Sequence, residues 1–484
     1  MRLSAETAPL LPPEVSRIVR RRAHGSRRIV HFGVGSFFKA HQAVYTDEAV
    51  EAGGDDWRVT GVSLRSPDVR DALAPQDWWY TVTERANGTG RVRAVSTLDR
   101  VIVAPENPRA VIDALASSDT HLVTITVTEK GYHRVPATGR LDKAAPEIRA
   151  ELAGDGPRTI FGYLTAALAE RRANGAGGLT ILSCDNLSGN GKLLFALLCE
   201  FVQAVHADLV DWIRTTVACP DTMVDRIVPA PTTEHRTTVA AALGMTDEGA
   251  VVTEPFRQWV IEDRFVGPRP IWEAVGAQIV ADVRPFELAK LRLLNAAHST
   301  LAYAGLALGH AYVHQAIADP ALGAFVMDQL AEAVPTLPAV EGLAPEAYVE
   351  AIIARFANAD LRHELRQIAS DGSQKLPQRW FATVAERAEQ GRASPFHLTA
   401  IAIWIDHTGG PAAAPDPLNE HYAAIWRDAG RDPARLVGRY LDELGLFPPG
   451  IAANGSLRNS LADALDQWRG AEPRAMSVVR VAER

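Results

Sequence analysis

The stretch RIVHFGVGSFFKAHQAVYTDEAV, residues 28–50, decides the fold of this chain. Arg28 to Phe32 is an apolar run typical of a buried strand, and Gly33 to Ser36 predicts a tight turn. Phe37 to Val50 then carries apolar residues at helical spacing. A strand, a glycine-rich turn and a helix in this order form the unit that cradles a dinucleotide pyrophosphate on backbone N–H groups.

Two glycines carry the dinucleotide signal in this turn. Gly33 would permit the turn, and Gly35 would let a phosphate approach, with Ser36 and Phe37 as neighbouring cofactor contacts. The third glycine of the usual G-x-G-x-x-G fingerprint is absent, because Phe38 stands at that spacing. Glycine pairs are also common in ordinary turns, so the flanking segments decide how this pair is interpreted.

The next predicted strand strengthens the dinucleotide interpretation. Trp57 to Leu64 (WRVTGVSL) predicts a strand, and Asp68 lies just past its end. A carboxylate at this place bonds the ribose hydroxyls of NAD. The neighbouring Arg65 could instead pair with the 2′-phosphate of NADP. We therefore expect NAD as the cofactor, with NADP as the open alternative.

Further apolar runs alternate with helical patterns up to about residue 280. Strands are predicted at His121 to Val127 and Gly178 to Ser183, and helices at Asn107 to Ala116, Thr159 to Ala173 and Lys192 to Val205. This alternation predicts an α/β, Rossmann-like domain with a mostly parallel sheet, which binds its ligands at the carboxyl ends of the strands. The polar clusters Thr128 to Tyr132 and Ser183 to Leu187 follow two of these strands, although turn and cap chemistry would also explain them.

The pattern changes at about Asp282. Long Ala- and Leu-rich helical patterns follow, such as Ala344 to Ala357 and Leu436 to Leu446, with loops at Pro335 to Gly342 and Gly409 to Pro417. We predict two domains, a dinucleotide-binding domain over residues 1–281 and a mainly α-helical substrate domain over residues 282–484.

Composition narrows the class of partner. The chain has 484 residues, with 50 basic and 58 acidic side chains and a net charge of −8, which argues against a nucleic-acid or anionic-membrane surface as main partner. Three cysteines are too few for a disulfide framework or a zinc cluster, and a cytoplasmic setting is expected. The basic run from Arg17 to Arg28 is interpreted as a solvated surface segment, because no apolar targeting segment accompanies it. We expect a monomer or a small homo-oligomer.

The segment KLRLLNAAHS places three polar side chains on an otherwise apolar helix. In a regular α-helix Asn295 would lie about 140° and His298 about 80° around from Lys290, and Glu287 would turn onto the same broad face. Oxidation of a secondary alcohol needs a base such as a buried lysine, an amide that donates to the alkoxide, and a group that orients the hydroxyl. Solvated or capping residues could show the same spacing.

The chain resembles the polyol-specific long-chain dehydrogenase/reductase (mannitol dehydrogenase) family. The resemblance covers nearly the whole chain and rests on six blocks in order: IVHFGVGSFFKAHQAVYTD (29–47), TVTEKGY (126–132), SCDNLSGNG (183–191), TMVDRIVP (222–229), EPFRQWVIED (254–263) and KLRLLNAAHS (290–299). Each block alone would be weak, whereas six in order are specific. Two blocks depart from the family's wording, since FHRAH is replaced by FFKAH and LNGSH by LNAAH.

The resemblance implies a role for each matched residue. Lys290 would be the general base, Asn295 and Asn186 would stabilise the oxyanion, and His298 would position the hydroxyl. Asp225 and Val224 would line the substrate site, and Glu287 would modulate the lysine. Glu129 would line a proton or water path to Lys290. The family's reaction needs no metal, and the sequence offers no credible zinc ligand set.

The substrate is the least determined property. A hexuronate such as D-fructuronate carries a carboxylate, so its reductase should offer a cation to that end. Candidates are Arg292, Arg366, Lys375 and Arg379. We expect NAD-dependent interconversion of D-mannonate and D-fructuronate, with neutral polyols such as D-mannitol or D-arabinitol as the alternative. A non-catalytic NAD(H)-binding sensor is a third hypothesis, which the intact Lys290, Asn295 and His298 disfavour.

Overall fold

The computed structural model describes residues 1–17, 27–135 and 138–470. The chain forms two compact units, Met1–Arg284 and Pro285–Arg484. Most of the predicted basic surface segment, residues 18–26, lies outside the described residues. Among the helices of the described part, none is long and apolar enough to cross a membrane.

The described residues of the first unit form three sheets. Their strands are β1 (Ser16–Arg17), β2 (Arg27–Phe32), β3 (Trp57–Ser63), β4 (Tyr80–Ala86), β5 (Thr89–Val95), β6 (Leu98–Val103), β7 (Thr120–Ile125), β8 (Thr180–Ser183), β9 (Thr222–Asp225), β10 (Val251–Thr253), β11 (Gln258–Glu262) and β12 (Gln278–Val280). The largest sheet has the order β6-β3-β2-β7-β8, and all its neighbours are parallel. This confirms the predicted Rossmann-like parallel sheet.

Strand β2 lies at the centre of the parallel sheet and is buried on both faces. Ile29 packs into one apolar cluster, whereas Val30 and Phe32 pack into another on the opposite face. A strand covered on both sides reads as a continuous apolar run rather than as an alternation. That is why residues 28–32 could be recognised in the sequence.

Helices cover the sheet and connect its strands. They are α1 (Ser36–Ala40), α2 (Gln42–Glu51), α3 (Asp68–Leu73), α4 (Pro108–Ala116), α5 (Pro146–Leu152), α6 (Ile160–Asn174), α7 (Asn190–Val205), α8 (Val210–Thr216) and α9 (Thr233–Leu243). Single 3₁₀ turns occur at Ala8–Leu10, Ala74–Gln76, Glu129–Tyr132, Ala207–Leu209 and Trp272–Val275. The side chain of Asn107 accepts a hydrogen bond from the N–H of Ala110 at 3.0 Å and so caps α4.

The single helix predicted over residues 37–50 is wrong in one respect. The backbone breaks at His41, which has φ −118° and ψ −87°, so α1 and α2 are separate helices. The buried His41 ring bonds the carbonyl of Gln258 through Nε2 at 2.9 Å and stacks on Phe37. These contacts come from a residue distant in sequence, and helical periodicity cannot reveal them.

The other two sheets were not predicted. One has the order β1-β5-β4-β10 and contains the antiparallel hairpin β4–β5, and the other has the order β12-β11-β9. Asn87 and Gly88 form the hairpin turn with φ values of 54° and 74°. An Asn-Gly pair with two positive φ angles is the preferred two-residue hairpin turn. The signal for this hairpin was therefore present in the sequence.

The second unit is helical, as predicted. Its helices are α10 (Arg284–Ala289, which begins at the unit boundary), α11 (Ala296–Ala307), α12 (Val313–Ala318), α13 (Pro320–Ala333), α14 (Pro345–Phe356), α15 (Leu365–Ala369), α16 (Gly372–Leu376), α17 (Ala382–Glu389), α18 (Pro395–Thr408), α19 (Asn419–Ala429), α20 (Pro433–Glu443), α21 (Pro449–Ala452) and α22 (Gly455–Gly470). Two segments, Lys290–Asn295 and Pro377–Phe381, are π-helical, and 3₁₀ turns occur at Val334–Thr336 and Ala359–Leu361. Large aromatic side chains such as Trp380 and Trp404 fill the core.

Candidate functional site

The glycine turn after β2 has the geometry of a dinucleotide cradle. Gly33 has a φ of 91°, and a Cβ atom built on it would overlap the carbonyl oxygen of Thr126. Only glycine fits this position without strain. At Gly35 such a Cβ atom would meet nothing closer than 3.9 Å, so the backbone there is open to an approaching group. Ser36 and Phe37 follow as the first residues of α1 and are half-buried.

Asp68 and Arg65 both lie beyond the carboxyl end of β3. Asp68 is exposed, begins α3 and accepts a hydrogen bond from the Ser66 hydroxyl at 2.9 Å. Arg65 is also exposed. The parallel order β3-β2 places this end of β3 beside the end of β2, which precedes the glycine turn. The structure thus places both predicted determinants of nucleotide preference at the same end of the sheet as the glycine turn.

The polar clusters after β7 and β8 join into one network. The carboxylate of Asp185 accepts hydrogen bonds from the N–H groups of Val127 at 3.0 Å and Thr128 at 2.9 Å, and from the Tyr132 hydroxyl at 2.8 Å. The Tyr132 hydroxyl also contacts the hydroxyl of Ser183 at 2.5 Å. Burial raises the pKa of Asp185, although these hydrogen bonds oppose the shift. Asp185 therefore ties two strand ends together.

Asn190 is a second structural residue in the same run, and the sequence did not single it out. Its Nδ2 donates to the carbonyls of Ser183 at 3.0 Å and Thr222 at 3.0 Å, and its Oδ1 accepts from the Thr222 N–H at 2.9 Å. These bonds join the ends of β8 and β9. Asn186, one residue after Asp185, is exposed. Asp185 and Asn190 thus hold the segment that presents Asn186.

Val224 and Asp225 end the short strand β9. The side chain of Val224 is buried in the apolar cluster beneath the sheet, and Asp225 lies opposite Gln258 in the antiparallel pair with β11. Asp225 is also buried and acts electrostatically on His41, whose pKa is lowered to about 3 chiefly by burial. The exposed Glu129 lies in the turn after β7.

Lys290, Asn295 and His298 are buried side chains of one continuous helical run, with 7%, 8% and 8% of their surfaces exposed. The regular α-helix predicted for this run is wrong over Lys290–Asn295, which forms a π-helical turn. The N–H of Ala296 donates to the carbonyl of Leu291, five residues earlier. Since a π turn closes over i→i+5 hydrogen bonds, Asn295 lies about one turn above Lys290 rather than ~140° around from it.

The ring of His298 is held by two neighbours that sequence reasoning missed. Phe356 packs on it with a centroid distance of 4.4 Å, and His363 contacts it edge-on at 5.3 Å. Burial, followed by the nearby His363, Arg355 and Arg379, holds the pKa of His298 well below its ordinary value. Its Nε2 atom is buried without a hydrogen-bond partner among the described residues. A neutral imidazole can accept or donate one hydrogen bond to a hydroxyl at pH 7.

The four candidate cations for a substrate carboxylate differ in their contacts. Arg292 is buried and committed, since its Nη1 contacts Glu386 at 2.7 Å and the carbonyl of Thr336 at 2.9 Å. Arg366 is exposed on α15. Lys375 donates to the carbonyl of Ser370 at 2.6 Å. Because the Arg292 guanidinium already binds Glu386 and Thr336, we do not propose Arg292 as a contact for the substrate.

Arg379 differs from the other three cations. Its Nη1 donates to the hydroxyl of Ser299 at 2.9 Å and to the carbonyl of Asn295 at 3.3 Å. It forms no ion pair with a carboxylate anywhere in residues 1–17, 27–135 or 138–470. Burial lowers the pKa of Arg379 to about 10, so the guanidinium remains a cation at neutral pH.

Lys39, the lysine of the FFKAH segment, has structural contacts. Its Nζ donates to the carbonyl of Gly249 at 2.9 Å and lies over the ring of Tyr80. Burial lowers the pKa of Lys39 to about 8. The contacts join α1 to the sheet that contains β4 and β10.

Glu287, which precedes Lys290 by three residues, is half-buried on α10.

Two family models match the chain. One describes the mannitol dehydrogenase Rossmann domain and matches residues 27–274, and the other describes the mannitol dehydrogenase C-terminal domain and matches residues 282–469. Both cover segments that contain the site residues described above.

Individual proteins show the same relationship. The mannitol 2-dehydrogenase of Pyrenophora tritici-repentis is 40% identical over 90% of this chain and 81% of that protein. The D-mannonate oxidoreductase of Escherichia coli is 37% identical over 91% of this chain and 93% of that protein. A solved ternary complex of Pseudomonas fluorescens mannitol 2-dehydrogenase with NAD and D-mannitol is 34% identical, covers 97% of both chains and superposes with a TM-score of 0.83. The chain therefore belongs to the mannitol dehydrogenase family and is a dehydrogenase that acts on CH–OH groups.

Proposed function

We propose that this protein is an NAD-dependent dehydrogenase that interconverts D-mannonate and D-fructuronate. The observation that carries the chemistry is the burial of Lys290, Asn295 and His298 in one helical run. In the oxidation direction the substrate hydroxyl loses a proton while a hydride leaves the same carbon, and NAD⁺ accepts that hydride. The products are the ketone, NADH and one proton.

Each residue of the run has a role in this proposal. The amine of Lys290 accepts the hydroxyl proton, which is the work of a general base. The amides of Asn295 and Asn186 donate to the alkoxide oxygen as its charge develops. His298 positions the hydroxyl, and its neutral state supports this role because it offers one donor and one acceptor.

Three further side chains have supporting roles. Glu287 lies one helical turn before Lys290 and modulates the base electrostatically. Asp225 and Val224 contribute substrate contacts at the end of β9. Two domains with separate tasks are part of the proposal: residues 1–281 bind the dinucleotide, and residues 282–484 supply the base.

The residues of the glycine turn fit a dinucleotide. Gly33 lets the chain turn tightly against β7, and the open backbone of Gly35 leaves room for a pyrophosphate before Ser36 and Phe37. The solved mannitol 2-dehydrogenase of similar structure contains NAD. These observations support NAD as the cofactor, and Asp68 is the residue proposed to select it over NADP.

Nucleotide preference can be tested with Asp68→Ala. Loss of a hydrogen bond from a ribose hydroxyl to a carboxylate should weaken NADH binding by about 10- to 150-fold, because such bonds contribute roughly 1.5–3 kcal/mol. NADPH binding should not weaken. Asp71→Ala is the control, since Asp71 lies on the same helix and pairs with Arg70 at 2.8 Å. Fluorescence titration measures both affinities. A wild-type protein that binds NADPH more tightly than NADH would reverse the assignment.

The choice of D-mannonate rests on charge. The helical unit places the half-buried Arg379 cation beside Asn295 and offers it no carboxylate partner within the described residues. A cation that pairs with no carboxylate favours an anionic substrate through the local field. Lys375 and the exposed Arg366 remain the proposed contacts for the carboxylate itself. The relative named D-mannonate oxidoreductase also matches this chain over nearly its whole length.

Oxidation of D-mannitol to D-fructose is the second candidate. The relative with 40% identity is named mannitol 2-dehydrogenase, and the similar solved structure holds D-mannitol. A neutral hexitol needs only hydrogen-bonding partners, which Asn186, Asp225 and His298 provide in this proposal.

A substrate comparison decides between the two. The purified protein is incubated with NAD⁺ and, separately, D-mannonate, D-mannitol or D-arabinitol, and NADH formation is followed by absorbance. We expect kcat/KM for D-mannonate to exceed that for D-mannitol by at least about 100-fold, as expected when a charge-assisted contact is lost. The reverse order would establish the polyol candidate. Binding of NADH without turnover of any of these compounds would favour a sensor.

A further inference from the structure

The π-helical turn Lys290–Asn295 is held by a second π-helical turn, Pro377–Phe381. Arg379 of the second turn donates from Nη1 to the carbonyl of Asn295 at 3.3 Å and to the hydroxyl of Ser299 at 2.9 Å. The next residue, Trp380, donates from Nε1 to the carbonyl of Ala296 at 3.2 Å. Two consecutive side chains thus bind two consecutive carbonyls.

These carbonyls lie where the π turn passes into the α-helix that begins at Ala296. Isolated π turns are rare, because the α-helix is the more stable arrangement for most sequences, and they occur frequently at functional sites. The sequence Leu291 to Ala297 consists mainly of good α-helix formers and contains no proline or glycine. The local sequence therefore does not explain the π turn. Contacts from residues distant in the sequence must stabilise it.

The contacts of Arg379 point to the same conclusion. The side chain is half-buried, and a guanidinium that is partly removed from water needs hydrogen-bond acceptors from the protein. Two buried arginines pair with carboxylates, Arg292 with Glu386 and Arg226 with Glu84, whereas the buried Arg171 donates to backbone carbonyls. Arg379 donates its Nη1 to the carbonyl of Asn295, within the Lys290–His298 run, and to the hydroxyl of Ser299, which follows it.

We propose that Arg379, assisted by Trp380, maintains the π-helical turn Lys290–Asn295 and is a positioning residue for Lys290 and Asn295. Relaxation of this turn to a regular α-helix would rotate Asn295 to about 140° from Lys290. The amide and the amine would then no longer act on the same oxygen. The catalytic part of this inference rests on the proposed function, whereas the structural part does not.

The test compares two arginines in the same unit. Arg387 resembles Arg379 in its contacts, because it donates to the carbonyl of Glu332 at 2.8 Å and to the hydroxyl of Ser394 at 3.0 Å, but it does not contact the Lys290–His298 run. Arg379→Met and Arg387→Met each remove a guanidinium and keep much of the apolar stem. Arg379→Lys restores a cationic donor without the planar fork.

Hydrogen exchange, kcat and the Kd for NADH are compared with those of the wild-type protein. Hydrogen exchange of the amides in residues 290–300 should become faster in Arg379→Met and stay unchanged in Arg387→Met. With the better substrate, kcat of Arg379→Met should fall about 100-fold, as expected for displaced reacting groups, while the Kd for NADH stays the same. Arg379→Lys should recover to within about tenfold of wild type.

Three outcomes would overturn the inference. Exchange in residues 290–300 that is the same in both Met variants would show that Arg379 does not hold the turn. Faster exchange with unchanged kcat would show that the turn does not position the base. A loss confined to D-mannonate, with D-mannitol oxidation unaffected, would assign the guanidinium to the substrate instead. If the wild-type protein oxidises neither compound, the proposed function fails, and the exchange comparison still decides whether Arg379 holds the turn.

Discussion

Replacement of Lys290 by methionine should reduce kcat by about 10²–10⁴-fold, which is the contribution of a positioned general base. Methionine keeps the apolar stem in its buried place, so the fold should survive. The Kd for NADH should not change, because the glycine turn and Asp68 belong to the other compact unit. Steady-state turnover of the better substrate and a fluorescence titration with NADH measure these two quantities.

Lys290→Arg separates proton transfer from charge. Arginine keeps the positive charge but does not give up its proton at accessible pH, so it cannot serve as a base. We expect this variant to be as slow as Lys290→Met. Turnover of Lys290→Arg near the wild-type rate would mean that Lys290 acts through its charge alone, and near-wild-type turnover of both variants would place the base elsewhere.

Gly33→Ala should destabilise the first unit by about 2–4 kcal/mol. The alanine would combine a φ of 91° with a methyl group that overlaps the carbonyl oxygen of Thr126, so either the turn or strand β7 must shift. Denaturant unfolding measures the loss.

Gly35→Ala is the matched control for that variant. The backbone at Gly35 has φ −87° and ψ −178°, which alanine adopts readily, and the space around the Cβ position is open. This variant should keep wild-type stability and lose NADH affinity, because the methyl group occupies the approach proposed for the pyrophosphate. Equal stability of Gly33→Ala and wild type would contradict the close approach, and full NADH affinity of Gly35→Ala would contradict the cradle.

The sequence was most informative where periodicity and local chemistry agree. Strand β2 was recognisable because its two buried faces call for apolar residues at consecutive positions, as at Ile29 and Val30, and the turn because its glycines follow directly. The helical nature of the second unit followed from its long Ala- and Leu-rich patterns. The Asn87-Gly88 hairpin was readable as well, but the predicted alternation of strands and helices obscured it.

The features that could not be read depend on contacts between distant residues. Helical periodicity cannot distinguish an α turn from a π turn when the deciding donors, Arg379 and Trp380, lie far along the chain. In the same way Arg292 was a candidate substrate contact, because no residue near it in the sequence indicates the ion pair with Glu386. The break at His41 has a similar origin in the carbonyl of Gln258.

The carboxylate of Asp185 limits how far the substrate specificity of this protein can be altered by exchanging loops. It binds the backbone after β7 and the hydroxyl of Tyr132, while the next residue in the chain is Asn186. A loop transplanted after either β7 or β8 would therefore disturb the Tyr132 turn and the position of Asn186 together. Libraries that aim at new substrates should leave Asp185, Tyr132 and Asn190 unchanged and vary the side chains around Lys375 and Arg366 instead.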